Sequence, residues 1–340
     1  MAVAVLVRCA AIAAALVLPA QPAAANDSTG FQGTTGIELT TTDAIRMVSE
    51  DLRIGLDEVR VSYVFRNESD RPIDTLVVFP LPDLDLSLGS TAPNWAFPVR
   101  AHDFLEFRLW IDDRPVPAAL ERRAFLAGRD VTAELAESGA LDRLVPWSRA
   151  GYDEDAKAIP PATLDRLRAR GLIAEGEDTN NPQWVLRNRY HWRQTFPPGV
   201  EVRVRHAYRP FVGRALLGKP STLHARKLVG RLVSEQAATD DRYCFDASTR
   251  SALTAVELRH PGEAMPFSAA EIEYILTTAR NWRGPIGRFH LTLDKGDPEN
   301  ILSLCWNGLT RTGPTTFEAT TTDFVPDRDI RMLVFVRSKP

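Results

Sequence analysis

Lysine is nearly missing from this chain, with five residues in 340 against 36 arginines. Cysteine is scarcer still at three, too few for a disulfide-dense small scaffold or a multi-cysteine zinc module. No sign of charge dominates. The net charge of −3 gives no support for binding nucleic acid or an anionic membrane. No apolar stretch reaches the ~20 residues that a membrane-spanning helix needs. Gly-x-Ser-x-Gly, His-Glu-x-x-His, the phosphate-binding glycine loop and the EF-hand loop are all absent, which weighs against the enzyme and calcium-binding classes built on them. The arginine excess itself reads either as recognition of phosphate and carboxylate or as genomic base bias.

The first 25 residues have the form of a secretory leader. Arg8 precedes an apolar run from Cys9 to Leu18, and the segment closes on Pro22-Ala-Ala-Ala25. A basic start, a short apolar core and a small-residue exit define a signal peptide. Cleavage is expected after Ala25, leaving Asn26 as the new terminus, about 315 residues and a charge near −4. Periplasmic or secreted placement follows. Cys9 leaves with the leader, so Cys244 and Cys305 remain. A pair in an oxidising compartment suggests one disulfide. The competing uses, half a metal site or a reactive thiol, have no companion histidine cluster to support them.

Alternation of apolar and polar residues marks strands. Glu58 to Pro82 reads as a strand pair around the polar turn Asn67-Glu-Ser-Asp-Arg-Pro72, stopped by Pro80-Leu-Pro82. Short strands are expected at 36–42, 45–48 and 52–54. Phe104 to Ile111 and Val116 to Leu120 read as a second hairpin around Asp112-Asp-Arg-Pro115. Trp184 to Tyr208 reads as a third. Its Pro197-Pro-Gly199 loop would set Phe196 opposite Val200, Trp192 opposite Val204 and Tyr190 opposite His206. Between these, residues 126–182 carry helix formers with proline at an entry and glycine at two exits. Leu164, Leu167 and Ile173 are their expected apolar face. Further strands are expected at Leu253 to Leu258, Glu271 to Thr278, Phe289 to Leu293, Thr315 to Thr322 and Ile330 to Val336.

The fold class expected is mainly β: two β-sandwich-like domains with a short α-helical insertion in the first. The first domain takes 26–125 plus 183–212, the insertion 126–182 and a C-terminal β-rich domain 213–340.

Several runs carry a resemblance. They are Ser49-Glu-Asp-Leu, Val59-Arg-Val-Ser-Tyr-Val-Phe-Arg-Asn67, Val78-Phe-Pro-Leu-Pro82, Tyr190-His-Trp-Arg-Gln-Thr-Phe-Pro197, Val204-Arg-His-Ala-Tyr-Arg-Pro210 and Leu302-Ser-Leu-Cys-Trp306. Together they resemble an uncharacterised family of exported bacterial proteins, domain-of-unknown-function family 4424. The resemblance implies export and no particular activity. The Tyr-x-Phe-x-Asn and Phe-Pro-Leu-Pro runs also resemble, locally, the vault/inter-α-trypsin domain of secreted and adhesive proteins. The metal site that often follows that domain is not evident here.

Candidate binding residues are few. Asp83 and Asp85 could hold Ca²⁺ with Glu106 or Asp103, or serve glycoside hydrolysis across a cleft; a solvated loop is the plainer alternative. His102 beside Asp103 could join a polar site. Trp95 and Trp147, in expected loops, could stack on a sugar or a partner. His206 belongs on the core face, whereas His191 points outward beside Arg189 and Arg193. No cofactor, metal or catalytic residue is assigned. The sequence reads as an exported binding or interaction module for an envelope protein or small ligand, with an envelope hydrolase or carbohydrate-binding protein as the rival.

Overall fold

The computed structural model describes residues 26–33, 36–87, 94–95, 105–144, 158–175, 180–210, 212–216, 243–244, 247–259 and 267–337. The chain is mainly β, in three principal sheets with few helices. A front sheet runs in the order Arg129–Asp130, Ala119–Leu126, Val185–Phe196, Ile73–Pro80, Ser28–Gly33, Gly36–Thr40. A back sheet runs Thr310–Arg311, Thr316–Phe324, Ile286–Asp294, Ile45–Gly55, Val59–Asn67, Glu201–Tyr208, Arg108–Ile111, Arg114–Val116. The third runs Ile301–Leu304, Ile330–Arg337, Phe267–Tyr274, Val212–Leu216, Asn94–Trp95.

Front and back sheets face each other as a sandwich. Phe65 meets Phe196 edge-on at 5.8 Å between ring centres, and Phe79 lies 4.7 Å from His206 and 5.2 Å from Tyr208. The strands expected at 59–67 and 73–80 are present, but they are not partners. Val59–Asn67 lies in the back sheet and Ile73–Pro80 in the front. The expected 184–208 hairpin divides the same way. Tyr190 pairs with Phe79 and Trp192 with Val77 in front, whereas Val204 pairs with Tyr63 and His206 with Val61 behind. The physical reason is that alternation reports which side chains face the core, and two strands crossing between facing sheets show the same phase as two strands of a hairpin. The two crossovers are stapled together by Asn67. Its amide donates to Phe196 O and Arg71 O, both at 2.8 Å, while Gly199 N donates to Asn67 O.

Two of the expected short strands merge into one, Ile45–Gly55, interrupted by a bulge between Met47 and Ser49. The bulge shifts the inward phase from Ile45 and Met47 to Glu50, Leu52 and Ile54. It presses on Gly287, where an added Cβ would sit 2.6 Å from Val48 O. Around Glu106 the expected strand 104–111 shortens to Arg108–Ile111, because Glu106 takes a positive φ of 52°. Leu253 to Leu258, expected as a strand, lies inside the helix Ala247–Arg259. Leu253 and Val256, one turn apart, pack with Phe267, Leu333 and Phe335 of the third sheet in a small satellite core. The other face of that sheet, with Ile272, Tyr274, Met332 and Val334, joins the main core.

Among the described residues, the segment 126–182 holds the helices Thr132–Glu137, Ala140–Arg143 and Pro161–Ala169, then the small hairpin Ile173–Glu175 with Asn180–Pro182. Leu135, Leu144, Leu167 and Ile173 are buried in the main core. Residues expected in a separate C-terminal domain supply strands to the back sheet. Ile286–Asp294 pairs in parallel with Ile45–Gly55, Leu291 beside Leu52. Sequence proximity therefore does not divide the sheets.

Cys244 and Cys305 form a disulfide across a separation of 61 residues. A loop of that length is worth about 4 kcal/mol in the chain-entropy account. Cys305→Ser with Cys244→Ser is expected to lower the denaturant midpoint accordingly. An unchanged midpoint would show that the cross-link constrains nothing the fold does not already hold.

Candidate functional site

The acidic residues singled out from the sequence are held in separate contacts. Asp83 receives a bidentate clasp from Arg187, whose Nη2 donates at 2.9 Å and whose Nε sits 3.2 Å from the other oxygen. That guanidinium also lies 4.6 Å from the centre of the Phe125 ring. Asp85 folds onto its own turn, accepting from the Ser87 amide at 3.0 Å and hydroxyl at 2.6 Å. Glu106 accepts from Arg209 at 2.6 Å. Among the described residues no group of three histidine, cysteine or acidic side chains is placed to hold a metal ion. Trp95 lies in the two-residue strand Asn94–Trp95 opposite Gly213. His102, Asp103 and Trp147 lie outside the described residues. His191 is half-buried on the outer side of the front sheet, and His206 is in the core, as the alternation predicts.

What alternation does not reveal is a polar cluster at the centre of the sandwich. Asn26, Asp27, Glu50, Tyr63, His206, Tyr274 and Thr278 meet there, each essentially closed to solvent. The Asn26 side chain donates to Glu50 at 3.1 Å and accepts from the Tyr63 hydroxyl at 2.5 Å. The Tyr63 and Tyr274 hydroxyls are 2.9 Å apart, and Tyr274 Oη is 3.3 Å from Glu50 Oε1. Asn26 N donates to Thr278 Oγ1 at 2.9 Å, and the Thr278 hydroxyl donates to Asn26 O at 2.8 Å. Trp282 Nε1 donates to Asp27 O, and Asn281 donates to Ser28 Oγ, both at 2.7 Å.

Burial decides the protonation of this cluster. It pushes the Glu50 carboxyl up to about 8, against the opposing pull of hydrogen bonds from Asn26 and Tyr274. Burial also raises Asp27, with nearby His206 pulling the other way. The phenols of Tyr63, Tyr208 and Tyr274 are all raised by burial. With Glu50 protonated, its O–H can donate to Tyr274, Tyr274 to Tyr63, and Tyr63 to Asn26, closing a ring in which each hydroxyl gives one hydrogen bond. Asp27 and His206 are less well served. Their nearest atoms are 3.2 Å apart, yet neither Asp27 oxygen nor either His206 nitrogen has an aligned hydrogen-bond partner among the described residues.

Above the cluster lies an open cleft of 590 Å³, lined by Thr41, Thr42, Asp43, Arg280, Trp282, Arg283 and Gly284. Two backbone bonds fix its walls, Thr42 N to Asn281 O and Arg283 N to Ile45 O, both at 2.8 Å. Its arginines are anchored through Nε, Arg280 on Pro326 O and Arg283 on Glu68. Trp282, only 2% exposed, forms the floor and ties the cleft to the cluster through its bond to Asp27. No motif in the sequence marks this site. Its walls come from positions about 240 residues apart, joined by the parallel pairing of the back sheet.

No curated protein is detectably similar to the chain in sequence. Among solved structures, a protein from Legionella pneumophila, described provisionally as nutrient binding, aligns with a TM-score of 0.44 and 14% identity, over 91% of this chain and 72% of its own. An M1 zinc metallopeptidase from Deinococcus radiodurans aligns with a TM-score of 0.27 and 8% identity, over 87% of this chain and 43% of its own. At these scores neither likeness bears on function. The sequence resemblance is the informative comparison: residues 25–333 match the family model described as Domain of unknown function (DUF4424), and the chain belongs to that family.

Proposed function

We propose that this is an exported, non-catalytic binding protein whose ligand is a small organic anion that also carries a hydrogen-bond donor. The cleft between residues 41–43 and 280–284 carries the reading. Its 590 Å³ falls in the usual range for small-molecule sites. Two guanidiniums line it, each anchored through its Nε, Arg280 on Pro326 O and Arg283 on Glu68. Anchoring lowers the ordering cost of recognition and favours a carboxylate or phosphate. Asp43 in the same wall suits a hydroxyl or amine on the same ligand. The sandwich supplies a rigid frame, and the acidic side chains first considered for hydrolysis are engaged elsewhere by arginines and a turn.

Calorimetry with citrate, gluconate and inorganic phosphate tests the proposal. A hydroxylated anion is expected to bind. Arg280→Gln with Arg283→Gln is expected to weaken it at least ~10-fold, on the scale of a lost charge-assisted contact, with the free protein's melting temperature nearly unchanged. Binding that survives the double substitution, or no binding by any of the three, would overturn it.

A further inference from the structure

We propose that hydrolysis of the Ala25–Asn26 peptide bond matures this protein, and that the α-ammonium created on Asn26 is a structural cation in the core, bound by Thr278 in the pocket of Asp27 and Glu50. The proposal is independent of any ligand in the arginine cleft.

Three observations support it. The small-residue exit of the leader stops at Ala25, so Asn26 is the first residue beyond it. The first residues of a chain are ordinarily held loosely. Here Asn26, Asp27 and Ser28 are fully buried and bonded to Glu50, Tyr63, Thr278, Asn281 and Trp282. The third observation is a shortage of donors. The pocket encloses two carboxyl groups and one imidazole, and both Asp27 oxygens are buried with no aligned partner among the described residues. A buried carboxyl whose one nearby donor, His206 Nε2 at 3.2 Å, is poorly aligned is costly to ionise. An amide nitrogen at position 26 offers one N–H, which Thr278 already takes. An ammonium there offers three N–H groups and a full positive charge.

The chemistry is ordinary peptide hydrolysis by a leader peptidase. Water adds to the Ala25 carbonyl carbon, the C–N bond breaks, Ala25 leaves as a carboxylate, and the Asn26 nitrogen keeps its electron pair and is protonated. The titratable side chains buried in the same region of the core are Asp27, Glu50, His206, Tyr63, Tyr208 and Tyr274. The expected sign follows from the amine. Its unfolded value is about 7.7; burial acts to lower it and charge pairing with Asp27 and Glu50 to raise it, and the proposal requires that the pairing prevails and returns those two groups to carboxylates. The stabilisation is therefore full below about pH 7.7 and is lost as pH rises through the raised folded value.

The test starts with the full chain, exported with its own leader, and an intact mass of the product. A terminus at Asn26 is expected, and a terminus elsewhere overturns the proposal. The purified 26–340 chain is then compared with the same chain acetylated on its α-nitrogen. Acetylation leaves one N–H on the nitrogen for Thr278 Oγ1 and removes the positive charge and the other two donors, so the two chains differ in the feature under test. The free-amine chain is expected to melt about 2–5 °C higher near pH 6.5, by the usual conversion of stability to melting temperature, with the gap closing above about pH 9. Equal melting of the two chains across that range overturns it.

Discussion

Glu50→Gln is expected to flatten the pH dependence of stability and to raise the melting temperature at pH 8, measured in the chain whose Asn26 nitrogen is an amide. Glu50 is pushed up to about 8 in the fold, above the ordinary glutamate value of 4.5. The folded state therefore holds a proton that the unfolded chain releases. That contribution is fully present below about pH 4.5 and disappears as pH rises through about 8. At 1.36 kcal/mol per pKa unit, the range corresponds to at most about 5 kcal/mol. Gln keeps the shape and carries its own N–H toward Tyr274, with its carbonyl toward Asn26, so the ring of hydrogen bonds closes without a titrating proton. Thermal melts from pH 5 to 9 read the effect. Parallel curves for the two chains would show that Glu50 is not the group that titrates. In the matured chain the neighbouring ammonium should lower Glu50 and shrink the slope.

Phe65→Ala should cost about 3–5 kcal/mol, the usual toll of removing a large ring from a well-packed core. Phe65 is completely buried on the strand Val59–Asn67. Its ring lies 4.4 Å from Trp282, 5.4 Å from Tyr63 and 5.8 Å from Phe196 between centres. One side chain thus touches the back sheet, the front sheet and the segment that floors the cleft. A urea midpoint that falls with an unchanged slope is the expected signature. A loss below 1 kcal/mol would mean that the neighbouring rings collapse into the space.

These residues also show what the sequence made legible. Simple alternation places Tyr63, Phe65, Tyr190, Trp192 and His206 inward, and they are inward. The membership of each strand in a sheet was not legible, because phase is shared by hairpin partners and by strands that cross a sandwich. Glu50 was hidden by the bulge at Val48, which reverses the phase of the strand midway. A charged residue in an apparently outward run gives no hint that it is buried. Leu253 to Leu258 reads as a strand because β-branched Thr254 and Val256 suit one locally, while the packing of Leu253 and Val256 on the third sheet favours the helix. The Asp83–Arg187 clasp pairs residues 104 positions apart, a distance over which spacing carries no information.

The parallel pairing of Ile286–Asp294 with Ile45–Gly55 sets a late strand beside an early one. Asn26 likewise finds its hydroxyl partner 252 residues later, at Thr278. A polypeptide that emerges with its amino end first cannot finish the middle of the back sheet until nearly all of it has emerged. Contacts of such long sequence separation slow folding. The topology acts as a delay: most front-sheet strands find partners within the first 200 residues, but Ile45–Gly55 lacks one neighbour, and Asn26 its hydroxyl partner, until residues 278–294 have been made.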